Sequence, residues 1–226
     1  MDRHLLAVQV LDALRRAATH YGCWFSEAVH QLGLDTALEA EHEAGARALE
    51  ACLPRLAKVL GFQLRDGLPE PLLRLDEAAL RELLAALSVC WLAMDGVWFQ
   101  AVERRTSMFD AKRVNDTCWS RFSPLEARRI RDLLDLPADG GLEALKVALG
   151  YRLYARINTQ EIVDQGPDAF LFRMIACRVQ TARRRKHLEP YPCKSGGLVE
   201  YREFARAIDP RLRVECVGCP PDDCPQ

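Results

Sequence analysis

The sequence predicts an α+β protein, with a mainly helical N-terminal body and a small antiparallel sheet with two helices at the C-terminus. Three observations predict it. Apolar residues recur at three- and four-residue spacing over residues 1–155. After Arg156 the pattern turns to loose alternation around a turn signal. Five of the nine cysteines, Cys177, Cys193, Cys216, Cys219 and Cys224, fall after residue 170. The predicted division is therefore a helical body over 1–155 and a cysteine-rich α+β unit over 156–226.

Leu5, Leu6, Val8, Leu11 and Leu14 give residues 1–20 the spacing of an amphipathic helix. A second helix is predicted from Trp24 to Leu32. A third, Ala- and Glu-rich, runs from Leu34 to Leu60 with a break near Pro54 and a stop at Gly61. Asp-Gly and two prolines make Arg65 to Pro71 a loop. Asp76 reads as an N-cap, and Ala79, Leu80, Leu83, Leu84, Leu87 and Trp91 follow on one helical face.

Gly-x-Trp-Phe occurs twice, as Gly22-Cys23-Trp24-Phe25 and Gly96-Val97-Trp98-Phe99, at an offset of 74 residues. At that offset Ala37 matches Ala111, Arg47 matches Arg121, Arg55 matches Arg129 and Leu60 matches Leu134. This suggests an imperfect internal duplication over about 21–61 and 95–135. Two accounts of the motif compete. In one, each marks a helix start that needs a small residue for close backbone approach and a large aromatic for the core. Alternatively, Trp24, Phe25, Trp98 and Phe99 line one apolar ligand pocket.

Ser123-Pro124-Leu125-Glu126 has the form of a helix start, and Leu136-Pro137 that of its end. After the turn Asp139-Gly140-Gly141, Leu142 to Ala155 makes another helix. A β-hairpin is predicted from Asn158–Val163 and Ala169–Val179 across the turn at 164–168. Then come a short basic helix, Gln180 to Leu188, a loop from Tyr191 to Gly197 holding Cys193, a helix from Leu198 to Ile208 stopped by Asp209-Pro210, and a strand from Leu212 to Val217 holding Cys216.

The net charge of −1 gives no general attraction to nucleic acid or to an anionic membrane. The basic run Arg183 to His187 lacks interleaved aromatics and reads as a solvated helix face, with an anionic small ligand as the alternative. No secretory leader and no run of 18 apolar residues is seen, so no membrane span and a cytoplasmic location are expected. In a reducing compartment nine cysteines point to free thiols or metal ligands. No phosphate-binding Gly-rich loop, dinucleotide fingerprint, His-Glu-x-x-His or Gly-x-Ser-x-Gly occurs.

Cys216 and Cys219 have the spacing of a metal knuckle, and Cys177 and Cys193 can complete four thiolate ligands for zinc or an iron–sulfur cluster. Cys224 and His187 are spare ligands. In a second reading Cys193 is a nucleophile, because Lys194 and a following helix start would both lower its pKa; Cys177 is the other candidate. In a third, the tail cysteines are small buried hydrophobes. Cys23, Cys52, Cys90 and Cys118 are expected in the helical core.

The runs A-C-R-V-Q-T-A-R-R-R-K, P-C-K-S-G-G-L-V-E-Y, F-A-R-A-I-D-P-R and C-V-G-C-P-P-D resemble an uncharacterised family of bacterial and archaeal cytosolic proteins. So do Gly96-Val97-Trp98-Phe99-Gln100-Ala101-Val102-Glu103 and Leu125 to Ile130. The tail is more remotely similar to the L-2-amino-thiazoline-4-carboxylic acid hydrolase-like family and to the 4-vinyl reductase domain. The resemblance implies Cys177, Cys193 and Cys219 as site residues, with Cys216 beside them. It also implies a further aromatic strand, which this sequence does not show before Gln226. The functions expected are a small-molecule- or metal-binding protein, a thiol-dependent hydrolase of a small C–N or thiazoline-like substrate, or a structural module without a site.

Overall fold

In a computed structural model, residues 2–220 and 222 are described. The fold is mainly helical with two small antiparallel pairs of strands. The chain divides into two compact units, Met1–Pro69 and Glu70–Gln226. The division expected at residue 155 is not where the compact units part: the helical segment before it and the cysteine-rich segment after it share the second unit's core.

The first unit is a helical hairpin. α1 (Arg3–Leu32) starts at Asp2, whose carboxylate accepts the His4 N–H at 3.3 Å. It runs unbroken through Gly22, so the two helices expected here are one. Helical glycine costs about 1 kcal/mol relative to alanine, too little by itself to break a helix of 30 residues. α2 (Leu34–Leu60) ends at Gly61, whose φ of +76° and N–H bond to the Ala57 carbonyl make the expected stop. The predicted loop then holds a minimal hairpin, β1 (Leu64–Arg65) with β2 (Leu68–Pro69), closed by Asp66-Gly67.

The second unit opens with one turn of helix, α3 (Glu70–Leu73), and then α4 (Glu77–Arg105). Asp76 caps α4, accepting the Ala79 N–H at 2.8 Å. α5 (Met108–Leu134) is capped by Ser107 and contains Pro124 in its interior. The Ser123 start signal is thus inside a continuous helix, not at its beginning. α6 (Gly141–Tyr151) and a 3₁₀ turn (Leu153–Arg156) lead to β3 (Thr159–Asp164), paired antiparallel with β4 (Phe170–Ala176) as predicted. α7 (Arg178–Arg185) and α8 (Cys193–Ile208) follow. The strand expected over 212–217 does not form. No neighbouring strand offers its backbone there, and the Val214 carbonyl accepts instead from Arg202 Nε at 3.4 Å.

The core lies where α8 packs on α5 and α6. Ala127, Ile130, Ala148, Leu149, Phe204, Ala205 and Ile208 form its centre, with Phe170 and Phe172 of β4 against it. Asp209 fixes the end of α8. Its buried carboxylate accepts the Gly141 N–H at 3.0 Å and pairs with Arg211 at 2.6 Å. The Arg211 bonds hold that carboxyl well below the usual carboxylate range.

The two long hairpins correspond at the 74-residue offset. α1 maps onto α4 and α2 onto α5 within one residue at each end. Asp2 and Asp76 are both N-caps, and Gly61 and Asp135 are both left-handed C-caps. Tyr21 Oη donates to Glu41 Oε1 at 2.9 Å, and at the matching positions Asn115 Nδ2 donates to Asp95 Oδ1 at 3.1 Å. Gly22 and Gly96 lie inside helices with open space where a Cβ would stand. Helix starts and close approach therefore do not explain the repeated motif.

Because the second unit has its own core, a chain beginning at Glu70 is expected to keep a cooperative unfolding transition and the near-UV circular dichroism of its aromatic cluster. Loss of that transition would mean that the first 69 residues supply part of the core.

Candidate functional site

Four of the predicted residues come together at the start of α8. Cys193 is the first residue of that helix, not part of a loop, and Cys177 is the N-cap of α7. The segment after Val214 returns over the first turn of α8. The Lys194 N–H donates to the Pro220 carbonyl at 3.0 Å, and Lys194 Nζ pairs with Asp222 at 2.9 Å. Cys219 Sγ lies 3.9 Å from where a Cβ on Gly197 would stand, so the returning chain packs on this turn at ordinary contact distance.

The thiols lie close enough to set one another's ionisation, with Cys219 placed to share its proton with the Cys193 sulfur and Cys216 beside Cys219. The bond from Cys219 draws the Cys193 pKa down. Burial and the neighbouring Cys177 oppose it, while Gln180 and Lys112 assist. The same bond pushes Cys219 up, because a donor must keep its proton. The lower-pKa member of the pair is therefore Cys193. No three His, Cys, Asp or Glu side chains among the described residues stand in a ready-made metal cage.

A polar scaffold holds Cys193. Gln180 Nε2 donates to its sulfur at 3.0 Å and to the Tyr191 carbonyl at 2.7 Å, while Gln180 Oε1 accepts the Tyr191 N–H at 3.1 Å. That carbonyl lies 3.3 Å from Cys193 Sγ and accepts from it while the thiol is protonated. The Tyr191 ring packs edge-on against Phe99. Its hydroxyl donates to Asn115 Oδ1 at 2.6 Å and accepts from Lys112 Nζ at 2.9 Å. Lys112 also pairs with Asp116 at 2.7 Å. Lys112, Asn115 and Asp116 stand at i, i+3 and i+4 of α5 and so share one face. Gly196 lies tightly beneath them: a Cβ there would meet Asp116 Oδ1 at 3.0 Å and Lys112 Nζ at 3.1 Å and would push the pair aside by a few tenths of an ångström.

A buried ion cluster lies in the same unit. Arg152, fully enclosed, donates from Nε to Glu126 Oε2 at 2.8 Å, and its Nη2 stands 2.7 Å from Glu200 Oε1. The second contact is close but poorly aligned as a hydrogen bond, so charge rather than direction holds Glu200. Burial pushes the Glu200 carboxyl up, and Arg152 only partly offsets this. Phe204, Tyr201 and Tyr154 present their ring faces to the guanidinium.

Other expectations fare differently. Trp24 and Trp98 are 70% and 71% exposed, so neither indole lines an enclosed pocket; Phe25 is half-buried, and Phe99 is buried against Tyr191. Cys23, Cys52, Cys90 and Cys118 are exposed residues rather than core. His187 is exposed at the end of α7, with φ of +53°. Cys224 lies outside the described residues. The basic run is not wholly solvated: Arg183 is buried against Glu103 at 3.3 Å and the Glu189 carbonyl. Sequence reasoning missed Gln180, Tyr191 and Lys112. The only local signal was the Lys112–Asp116 spacing.

Residues 72–226 match the model of DUF6125, a family of unknown function. No curated protein and no solved structure matches the chain.

Proposed function

The chain belongs to that family, which carries no assigned activity, and we propose that the protein binds a thiolate-preferring metal, zinc or the iron of an iron–sulfur cluster, through Cys177, Cys193, Cys216 and Cys219. The observation that carries the reading is the convergence of these four residues, from three separate segments, at the start of α8, where each acts on the ionisation of a neighbouring thiol. The donor set suits such a metal in its chemistry, although no three of these side chains already stand at metal-holding spacing. Four thiolates would bring four negative charges, and the surroundings offset them: α7 begins at Cys177, α8 begins at Cys193, and Lys112 and Lys194 act on the sulfurs. Gln180 and Tyr191 would hold the Cys193 sulfur in place, the role that outer hydrogen bonds play around metal ligands. Loading would draw the thiols together and release the proton that Cys219 shares with Cys193.

Elemental analysis of protein purified without a His-tag under reducing conditions tests this. About one zinc per chain, or iron with matching sulfide, is expected. Folded, reduced protein that contains no metal and takes up none from added zinc or from iron and sulfide would overturn the reading.

The lowered pKa of Cys193 favours a second reading, a thiol-dependent hydrolase of a small C–N or thiazoline-like substrate with Cys193 as nucleophile. It predicts one fast-alkylating cysteine whose loss leaves the fold intact. The matching hairpins support a further reading of origin, an internal duplication embracing about 21–61 and 95–135. In that case the first unit is an added copy outside the stretch that matches the family.

A further inference from the structure

Helix α4 is apolar on two sides, and only one of them is used. Ser88 and Phe99 are buried, Trp91 stacks with Trp119, Phe122 and Tyr154, and Asp95 accepts from Asn115. These residues form the side that faces the rest of the unit. On the other side Leu80, Leu83, Leu87, Met94, Val97 and Trp98 are exposed, Met94 at 59% and Trp98 at 71%. Their spacing follows helical periodicity over about five turns. Together they leave about 600 Å² of apolar side chain in water, taking the 150–250 Å² of an aromatic as the scale. That approaches the roughly 800 Å² per partner of a standard interface.

We infer that this face is covered by the α4 of a second copy of the chain, packed antiparallel about a twofold axis near Trp91. The charges favour that occupant and orientation. The helix is net acidic at its start, with Asp76, Glu77 and Glu82 against Arg81, and net basic at its end, with Arg104 and Arg105 against Glu103. Antiparallel pairing brings the acidic end of one copy against the basic end of the other, twice by the same symmetry, and opposes the helix dipoles favourably. Parallel pairing would set like charges together. α4 is also long and apolar enough to cross a membrane, but a lone span would put the Asp95 carboxyl into lipid at a cost of several kcal/mol. The side bearing Asp95, Ser88 and the aromatic stack is committed to protein.

Light scattering with size exclusion, on the full chain across the micromolar range, tests the inference. The expected mass is twice 25.5 kDa. Leu87→Glu and Trp98→Glu should halve it with unchanged helical circular dichroism, while Trp24→Glu in the first unit should leave it doubled. Cys90 is exposed one residue from the axis, so a short bis-maleimide should yield a Cys90–Cys90 link in the wild type, identified by peptide mass. A 25.5 kDa species throughout would overturn the inference. So would a dimer that survives both α4 substitutions, a dimer that Trp24→Glu disperses, or a monomer that floats with anionic phosphatidylcholine–phosphatidylglycerol vesicles.

Discussion

Replacing Arg152 by methionine is expected to destabilise the second unit by about 3–5 kcal/mol at neutral pH, the cost of leaving a buried charge without its partner. Arg152 is fully enclosed. Burial works against its charge, but Glu200 and Glu126 beside it raise its pKa and keep it protonated. Removing it strands both carboxylates. Glu126 keeps one bond, from the Leu153 N–H at 3.1 Å, whereas Glu200 loses the cation that lowers it. The sign of the pH dependence follows. A carboxyl whose folded pKa lies above its unfolded one contributes stability that is present below the unfolded value and lost as pH rises through the folded value. Glu200 already has this direction of shift, and Arg152→Met increases it. The variant should therefore recover stability relative to wild type when the pH is lowered from neutrality toward the unfolded carboxylate range. Urea melts at two pH values measure this. A loss under about 1 kcal/mol, the size of an exposed ion pair, equal at both pH values, would mean that solvent reaches the cluster.

The elements that sequence made legible are those whose ends carry their own chemistry. Asp76 starts one helix and Gly61 stops another by bonds made within four residues, and the β3–β4 hairpin is marked by its turn and its alternation. What was misread depended on partners far along the chain. Pro124 after Ser123 looks like a helix start, yet α5 passes through it because its neighbours are buried against other elements, including α8. Leu212 to Val217 has the composition of a strand, but a strand exists only if another offers its backbone. The cysteine site divides the same way. The Cys216–Cys219 spacing is local and visible. Tyr191 reaches Asn115 and Lys112 across 76 and 79 residues, and nothing in either segment announces the other. Arg152 likewise closes its ion cluster with Glu126 and Glu200 at opposite sides in sequence.

Two substitutions at one position should separate metal ligation from thiol chemistry. Cys219→Ser keeps a hydroxyl that can donate to the Cys193 sulfur but removes a soft ligand. Cys219→Ala removes both. If the cluster holds a metal, each variant should lose most or all of it, a change from about one ion per chain to a trace. The thiols then respond differently. The hydrogen bond from Cys219 is the largest influence lowering the Cys193 pKa. Cys219→Ala should therefore move the pH midpoint of Cys193 alkylation upward and slow the reaction near neutrality. Cys219→Ser should leave the midpoint close to that of metal-free wild type, since a hydroxyl donor still favours the thiolate. Iodoacetamide rates across a pH series, with Cys193 followed by peptide mass, read this out. Equal midpoints in all three proteins would remove the Cys219–Cys193 bond from the account of the site. A metal content unchanged in both variants would place any bound ion elsewhere in the chain.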